Sequence, residues 1–163
     1  MAVLVVAASA AAIDLVAKAA SEARLSDSTV DLGLLELRLG YNDGVAFSMG
    51  RTLPVSVIVA ATAAISLAII AYAWRRAPYA GRVERIAGGA VIGGAVANVL
   101  DRARDGVVTD YLHTGWWPTF NLADTFLVTG FLVIAGLQLR SEPASDPSEP
   151  TTARSATTDA SDL

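Results

Sequence analysis

Residues 53–74 read LPVSVIVAATAAISLAIIAYAW, 22 consecutive residues without a charge. At ~1.5 Å of rise per residue, a helix of that length reaches roughly 33 Å and crosses the hydrocarbon layer of a bilayer. The rest of the chain has the composition to match. Of 163 residues 53% are hydrophobic and 17% charged, where soluble domains carry about 25% charged residues. A small polytopic membrane protein with one compact membrane domain follows.

Working outward, three further segments are apolar over most of their length but carry polar residues at one end or inside: residues 2–20, 86–104 and 121–140. The expected fold is an all-α membrane protein with four transmembrane helices. Between the second and third spans, Arg75, Arg76, Arg82 and Arg85 outweigh Glu84, and Tyr72, Trp74 and Tyr79 flank them. The positive-inside rule puts this loop, and with it both termini, in the cytoplasm, with the aromatic rings at the interface. Residues 21–51 and 105–120, the latter with Trp116-Trp117-Pro118, are left outside. Alternation across residues 30–34 and 35–39 suggests strands, so a small extracytoplasmic β-sheet with an amphipathic segment is expected between the first and second helices. Residues 40–44 read as a turn.

A cleaved signal peptide is the alternative for the first span. No Lys or Arg precedes Lys18, and Asp14 interrupts the apolar run, both unlike a secretory leader. At the other end, residues 141–163 hold five acidic residues against Arg154, which accounts for the formal charge of −4. This Ser/Thr/Pro/Ala-rich tail has too little apolar surface to offset its ordering entropy and is expected to be disordered, leaving residues 1–140 as the membrane domain.

The chain has no cysteine and one histidine. Disulfides, a thiol nucleophile, Cys-ligated metals and a histidine metal cluster are thereby excluded, and chemistry falls to carboxylates, hydroxyls, Lys or Arg. Converted to depth from the cytoplasmic end at 1.5 Å per residue, Asp14 and Asn98 lie near ~18 Å, Asp101 near ~22 Å and Asp124 near ~24 Å. All fall in the outer half. A charge facing lipid costs several kcal/mol, so these residues are expected to face one another or a wetted cavity. Gly89, Gly93, Ala97 and Asp101 recur every four residues on the third helix, a stripe that lets backbones approach closely and ends in polar groups. Asp14 and Lys18, four apart, share one helix face and are expected to form a structural ion pair.

Converging carboxylates suit hydrolysis by two aspartates sharing a proton, one accepting from water and one polarising a carbonyl. Asp101, Asp105, Asp110 and Asp124 are the candidates. Asp124 stands in the first turn of the fourth helix, where an anion is favoured, though a plain helix-start carboxylate would stand there too. The loop between Asp110 and Asp124 is long enough to bring them together. Asp101 and Arg102 look like a buried structural pair, yet composition alone leaves Asp101 in play. His113, amid Tyr111, Trp116 and Trp117, reads as an interfacial polar tip. A Ser/Lys mechanism using Lys18 with Ser9 or Ser21 needs a neutral lysine, which Asp14 opposes.

Four motifs in order, Asn42-Asp43-Gly44-Val45-Ala46-Phe47-Ser48, Asn98-Val99-Leu100-Asp101-Arg102, Gly106-Val107-Val108-Thr109-Asp110-Tyr111 and Trp117-Pro118-Thr119-Phe120-Asn121-Leu122-Ala123-Asp124, resemble those of lipoprotein signal peptidase (signal peptidase II). The resemblance covers almost everything up to Arg140. It implies an aspartic endopeptidase of the bacterial inner membrane, active near the outer face, that removes signal peptides from prolipoproteins before a diacylglyceryl-modified cysteine. By motif matching, Asp110 and Asp124 are similar to the catalytic pair. Asn42, Gly44, Asn98, Arg102 and Asn121 match supporting positions, and Asp14 with Lys18 matches the first-helix Asp/Lys motif. Phe47, with Met49, is assigned either to the substrate groove or to anchoring at the interface. Leu15 stands where the family often has glutamine, and Ala97 where it usually has glycine. The expected enzyme is a monomer in membrane lipid, needs no metal or cofactor, takes a diacylglyceryl-prolipoprotein as partner and binds no nucleic acid. Two rivals stand beside it: a proton-relay or transport protein built on the same aspartates, and a scaffold that only binds signal peptides.

Overall fold

The computed structural model describes residues 1–43, 55–76 and 78–141. Gly44, Phe47, Met49 and the acidic tail beyond Ser141 lie outside the described residues. Four long helices carry the chain: α1 (Ala2–Arg24), α2 (Val55–Arg76), α3 (Arg82–Asp105) and α4 (Leu122–Ser141). Three short strands accompany them: β1 (Val30–Asp31), β2 (Glu36–Asn42) and β3 (Val108–His113). The four expected spans are thus all helices, each shifted or extended by a few residues. Among the described residues, α1, α3 and α4 are long and apolar enough to cross a membrane.

Helix α3 lies at the centre, in contact with α1, α2 and α4. Its glycines are poor helix formers in water, and close approach explains their presence. A Cβ at Gly89 would come within 2.8 Å of the Val3 carbonyl oxygen, one at Gly93 would collide with the Ala7 carbonyl, and one at Gly94 would stand 2.5 Å from that of Ala123. Gly130 on α4 answers from the other side, where a Cβ would meet the Ala87 carbonyl at 2.8 Å. Backbone therefore packs on backbone along two seams, α1–α3 and α3–α4. The expected stripe at Gly89, Gly93 and Ala97 faces α1 as the small-residue rule requires.

Burial runs opposite to that of a soluble domain. Leu4, Val16, Leu67 and Phe131 are all more than half exposed, while Asp14, Thr109 and Asn121 are fully buried and Lys18 nearly so. Such a molecule is stable where its outer faces meet hydrocarbon and its polar groups meet one another.

The sheet has the order β1-β2-β3 and is antiparallel throughout. Two sequence expectations need correction. Residues 40–42 are not a turn: Gly40, Tyr41 and Asn42 continue β2 and pair with Asp110, Thr109 and Val108. Nor does the sheet lie wholly between the first two helices, because its third strand comes from the segment between α3 and α4. Gly106 caps α3 in the left-handed conformation (φ 90°), its N–H donating to the Arg102 carbonyl, and turns the chain back into β3. From the end of β3 the chain loops through Gly115, Trp116 and Trp117 and returns at Phe120, whose carbonyl accepts from the N–H groups of Tyr111 (3.0 Å) and Leu112 (2.8 Å). That closure sets the start of α4 beside Asp110.

Candidate active site

Asn121, the residue before α4, ties the two expected catalytic aspartates together. Its side-chain Nδ2 donates to Asp110 Oδ1 at 2.7 Å, and its backbone N–H donates to Asp124 Oδ2 at 3.3 Å. In return its Oδ1 accepts from the Asp124 N–H at 2.9 Å, a reciprocal helix-start arrangement. Asp110 and Asn121 are almost wholly buried. Burial first, and then the charge of Asp124, push the Asp110 carboxyl up to about 7, against hydrogen bonds from Asn121 and Asn42 that favour its ionised form. Burial also raises the next residue, Tyr111, whose hydroxyl accepts from the Leu122 N–H at 3.3 Å.

Behind the aspartates lies a buried charged cluster. Lys18 Nζ stands 3.0 Å from Asp14 Oδ2 and 3.2 Å from Asp101 Oδ2, and donates to Asn98 Oδ1 at 2.7 Å. Because the lysine holds the Asn98 oxygen, the amide nitrogen faces the other way and donates to Asp124 Oδ1 at 2.9 Å. Asp14 Oδ1 accepts from the Ala123 N–H at 2.8 Å, fastening the first turn of α4 to α1. The expected Asp14–Lys18 pair is present, and its second carboxylate is Asp101. The expected Asp101–Arg102 pair is not formed: neighbouring residues on a helix point in different directions. Asp101 serves Lys18 and the Thr109 N–H (2.8 Å), whereas Arg102 Nη2 donates to the Asn42 carbonyl at 3.1 Å. Arg104 is occupied by Glu22 (3.0 Å) and Asp105 (3.6 Å).

Of the candidates named from the sequence, Asp14, Lys18, Asn98, Asp101, Asn121, Asp110 and Asp124 form one connected network, and Asn42 and Arg102 border it at the end of β2. Lys18, gripped by two carboxylates, is in no position to activate Ser9 or Ser21. His113 lies away from the pair, where it pairs with Glu36 across the sheet and its Nδ1 is 3.4 Å from Thr119 Oγ1. Sequence reading misses two participants: Glu22, and the hydroxyl of Thr109 inside the third motif, which lie 2.8 Å apart across 87 residues of chain.

Asp124 also lines a cavity of about 340 Å³ between the β3–α4 loop and α4, together with Trp116, Trp117, Phe120 and Val128 among others. A carboxylate that adjoins both a buried aspartate and an apolar cavity can bring water to an apolar substrate.

The sequence profile of Signal peptidase (SPase) II matches residues 6–139. A lipoprotein signal peptidase of Syntrophomonas wolfei subsp. wolfei is 35% identical over 116 residues, 71% of this chain and 75% of that one. One from Dehalococcoides mccartyi is 35% identical over 125 residues, covering 75% of this chain and 78% of that one. Among solved structures, a bacterial membrane enzyme determined by the in meso method at 1.9 Å shares the fold, with TM-score 0.73 at 23% identity over 86% of this chain and 94% of that one. A second, at 2.3 Å, has TM-score 0.71 at 21% identity over 88% and 92%. The ordered motifs, the architecture and the profile agree, and the chain belongs to the signal peptidase II family.

Proposed function

We propose that this chain is an aspartic endopeptidase that removes signal peptides from diacylglyceryl-modified prolipoproteins, cutting before the lipidated cysteine, with Asp110 and Asp124 as its catalytic pair. The observation that carries the assignment is Asn121, bonded at once to both carboxylates. The raised Asp110 keeps its proton near neutral pH. Asp124, which accepts hydrogen bonds from Asn98 and from the Asn121 N–H, carries the charge.

In the hydrolysis that follows, Asp124 takes a proton from a water molecule whose oxygen attacks the scissile carbonyl carbon, while the Asp110 proton moves to the carbonyl oxygen. Collapse of the tetrahedral intermediate breaks the C–N bond. The proton on Asp124 passes to the departing amine, and Asp110 recovers its own. The cavity beside Asp124 receives apolar parts of the substrate. A signal peptide diffusing within the bilayer meets it without leaving lipid.

Helix α2 is the fourth span in this reading, supported by its 22-residue length and its freedom from charge up to Arg75. The basic α2–α3 connection and both termini face the cytoplasm, and the sheet and the aspartates lie at the outer boundary of the bacterial inner membrane. Residues 1–140 suffice for activity, and a monomer is the working unit. The relay alternative requires ionisable groups to continue across the bundle. Residues 2–13, 86–100 and 125–139 contain no Asp, Glu, Lys, Arg or His, so such a path stops short.

The test is processing of a diacylglyceryl-modified prolipoprotein by the purified chain in detergent. Cleavage is expected, insensitive to chelators and lost in both Asp110→Asn and Asp124→Asn, with the variants still folded and able to bind substrate. Wild-type turnover by Asp110→Asn overturns the catalytic assignment. Binding without cleavage by the unmutated chain makes it the scaffold instead.

A further inference from the structure

Thr109, the residue before Asp110, is fully buried, and each of its polar groups is held by a different element. Its N–H donates to Asp101 Oδ2 on α3 at 2.8 Å. Its carbonyl accepts from Asn121 Nδ2 at 3.4 Å. Its hydroxyl donates at 2.8 Å to Glu22 Oε1, on the last turn of α1, and the other oxygen of that carboxylate accepts from Arg104 Nη2 at 3.0 Å.

The first two contacts grip the backbone and fix where β3 lies. Pairing with β2 and the bridge to Phe120 hold the strand in its sheet, and within that frame the side-chain contacts of residues 109–111 set its local twist. Consecutive side chains of a strand point to opposite faces, so a twist that swings Thr109 one way swings Asp110 the other. On the face opposite Asp110, the Tyr111 hydroxyl is held by the Leu122 N–H at the start of α4, and the Thr109 hydroxyl, next to Asp110 in the chain, is held by Glu22 on α1. The gap between Asp110 and the scissile carbonyl has to be kept to a fraction of an ångström, since a misplacement of about 1 Å can cost on the order of 100-fold in rate.

We propose that Glu22, acting through the Thr109 hydroxyl, is a positioning residue that sets the local twist of β3 and thereby aims the Asp110 carboxyl at Asp124 and the substrate. The proposal rests on the assignment of Asp110 as catalytic. Arg104 orients the Glu22 carboxylate from the solvent side. Neither Glu22 nor Thr109 touches the reacting atoms, so the latch acts on turnover and leaves substrate affinity alone.

Thr109→Val keeps the shape of the side chain and removes the donor. Its kcat is expected to fall on the order of 10-fold with KM unchanged, the pattern of an interaction that matters only in the transition state. Thr109→Ser, which restores the hydroxyl, should return most of that loss. Glu22→Ala should match Thr109→Val, and the double variant should be no slower than either alone, because both remove one interaction. Glu22→Gln, which retains an acceptor oxygen, is expected to sit closer to wild type than Glu22→Ala. A purely structural contact gives a different result: lower thermal midpoints with undiminished kcat at temperatures where the variants are folded.

That outcome for Thr109→Val and Glu22→Ala, or additive losses in the double variant, overturns the latch. Asp110→Asn run in the same assay separates the two levels. An inactive Asp110→Asn beside a fully active Thr109→Val removes the latch alone, whereas an active Asp110→Asn removes the catalytic assignment and the latch with it.

Discussion

At the residue scale, the proposed chemistry depends on two carboxyls that differ although they belong to the same residue type. Asp110 is buried in a strand, and its folded-state affinity for protons is raised to about 7 from an ordinary 3.8. The sign of the consequence for stability follows from linkage. Between about pH 4 and pH 7 the unfolded chain has released this proton and the folded chain retains it, so the contribution is full below pH 4 and is lost as pH rises through 7. Activity should follow the same proton, with processing rates declining above about pH 7; a rate constant to pH 9 contradicts the assignment of Asp110 as the acid. The lysine behind the pair gives a second test. Lys18→Met leaves Asp14 and Asp101 facing each other without a cation, and a buried pair broken on one side costs about 3–5 kcal/mol. A thermal midpoint equal to wild type in detergent is incompatible with that picture. Most of these residues were legible in the motifs. Their partners were not: Lys18 to Asp101 and Thr109 to Glu22 are contacts between distant stretches of chain, and the attractive but wrong Asp101–Arg102 pairing was simply the nearest one in sequence.

The elements show where pattern reading works and where it stops. Uninterrupted apolar runs gave away the helices, and the four-residue stripe on α3 gave away its contact face. The expected outcome of adding a side chain there is asymmetric. Gly93→Ala forces α1 away from α3, since the new methyl meets the Ala7 carbonyl, whereas Gly136→Ala on α4 meets nothing within 4 Å. Overpacking of this kind costs about 1–3 kcal/mol. A drop in midpoint for Gly93→Ala but not for Gly136→Ala is therefore expected, and equal behaviour of the two contradicts the close seam. Strand β3 escaped notice for a physical reason: residues 108–111 are buried one after another, so the alternation that betrays a half-buried strand is absent. The turn expected at residues 40–44 failed for the converse reason. Gly40, Asn42, Asp43 and Gly44 have turn chemistry, but pairing with β3 holds Gly40, Tyr41 and Asn42 in β2, just past an irregularity in the β2–β3 register between Leu37 and Gly40.

For the whole molecule, the absence of cysteine makes topology directly measurable. Single cysteines at Gly115 and Leu34 should react with an impermeant maleimide in intact cells, while one at Tyr79 should react only after lysis. The reverse labelling inverts the orientation. Removal of residues 142–163 should leave processing within about twofold of wild type, because a segment of that composition contributes no apolar burial. The class of fold, the number of long helices and the ordered motifs could all be read from the chain because membrane insertion imposes strong compositional rules. The connectivity of the sheet could not. The two glycine seams of α3 also bear on traffic. Prising α1 or α4 away from α3 would strip carbonyls of close neighbours along much of a helix, whereas α2 meets α4 through a 3.4 Å hydrogen bond between exposed Gln138 and Tyr72. Under the proposed function, a signal-peptide helix drifting in the plane of the bilayer would meet two sewn edges and one looser one, between α2 and α4.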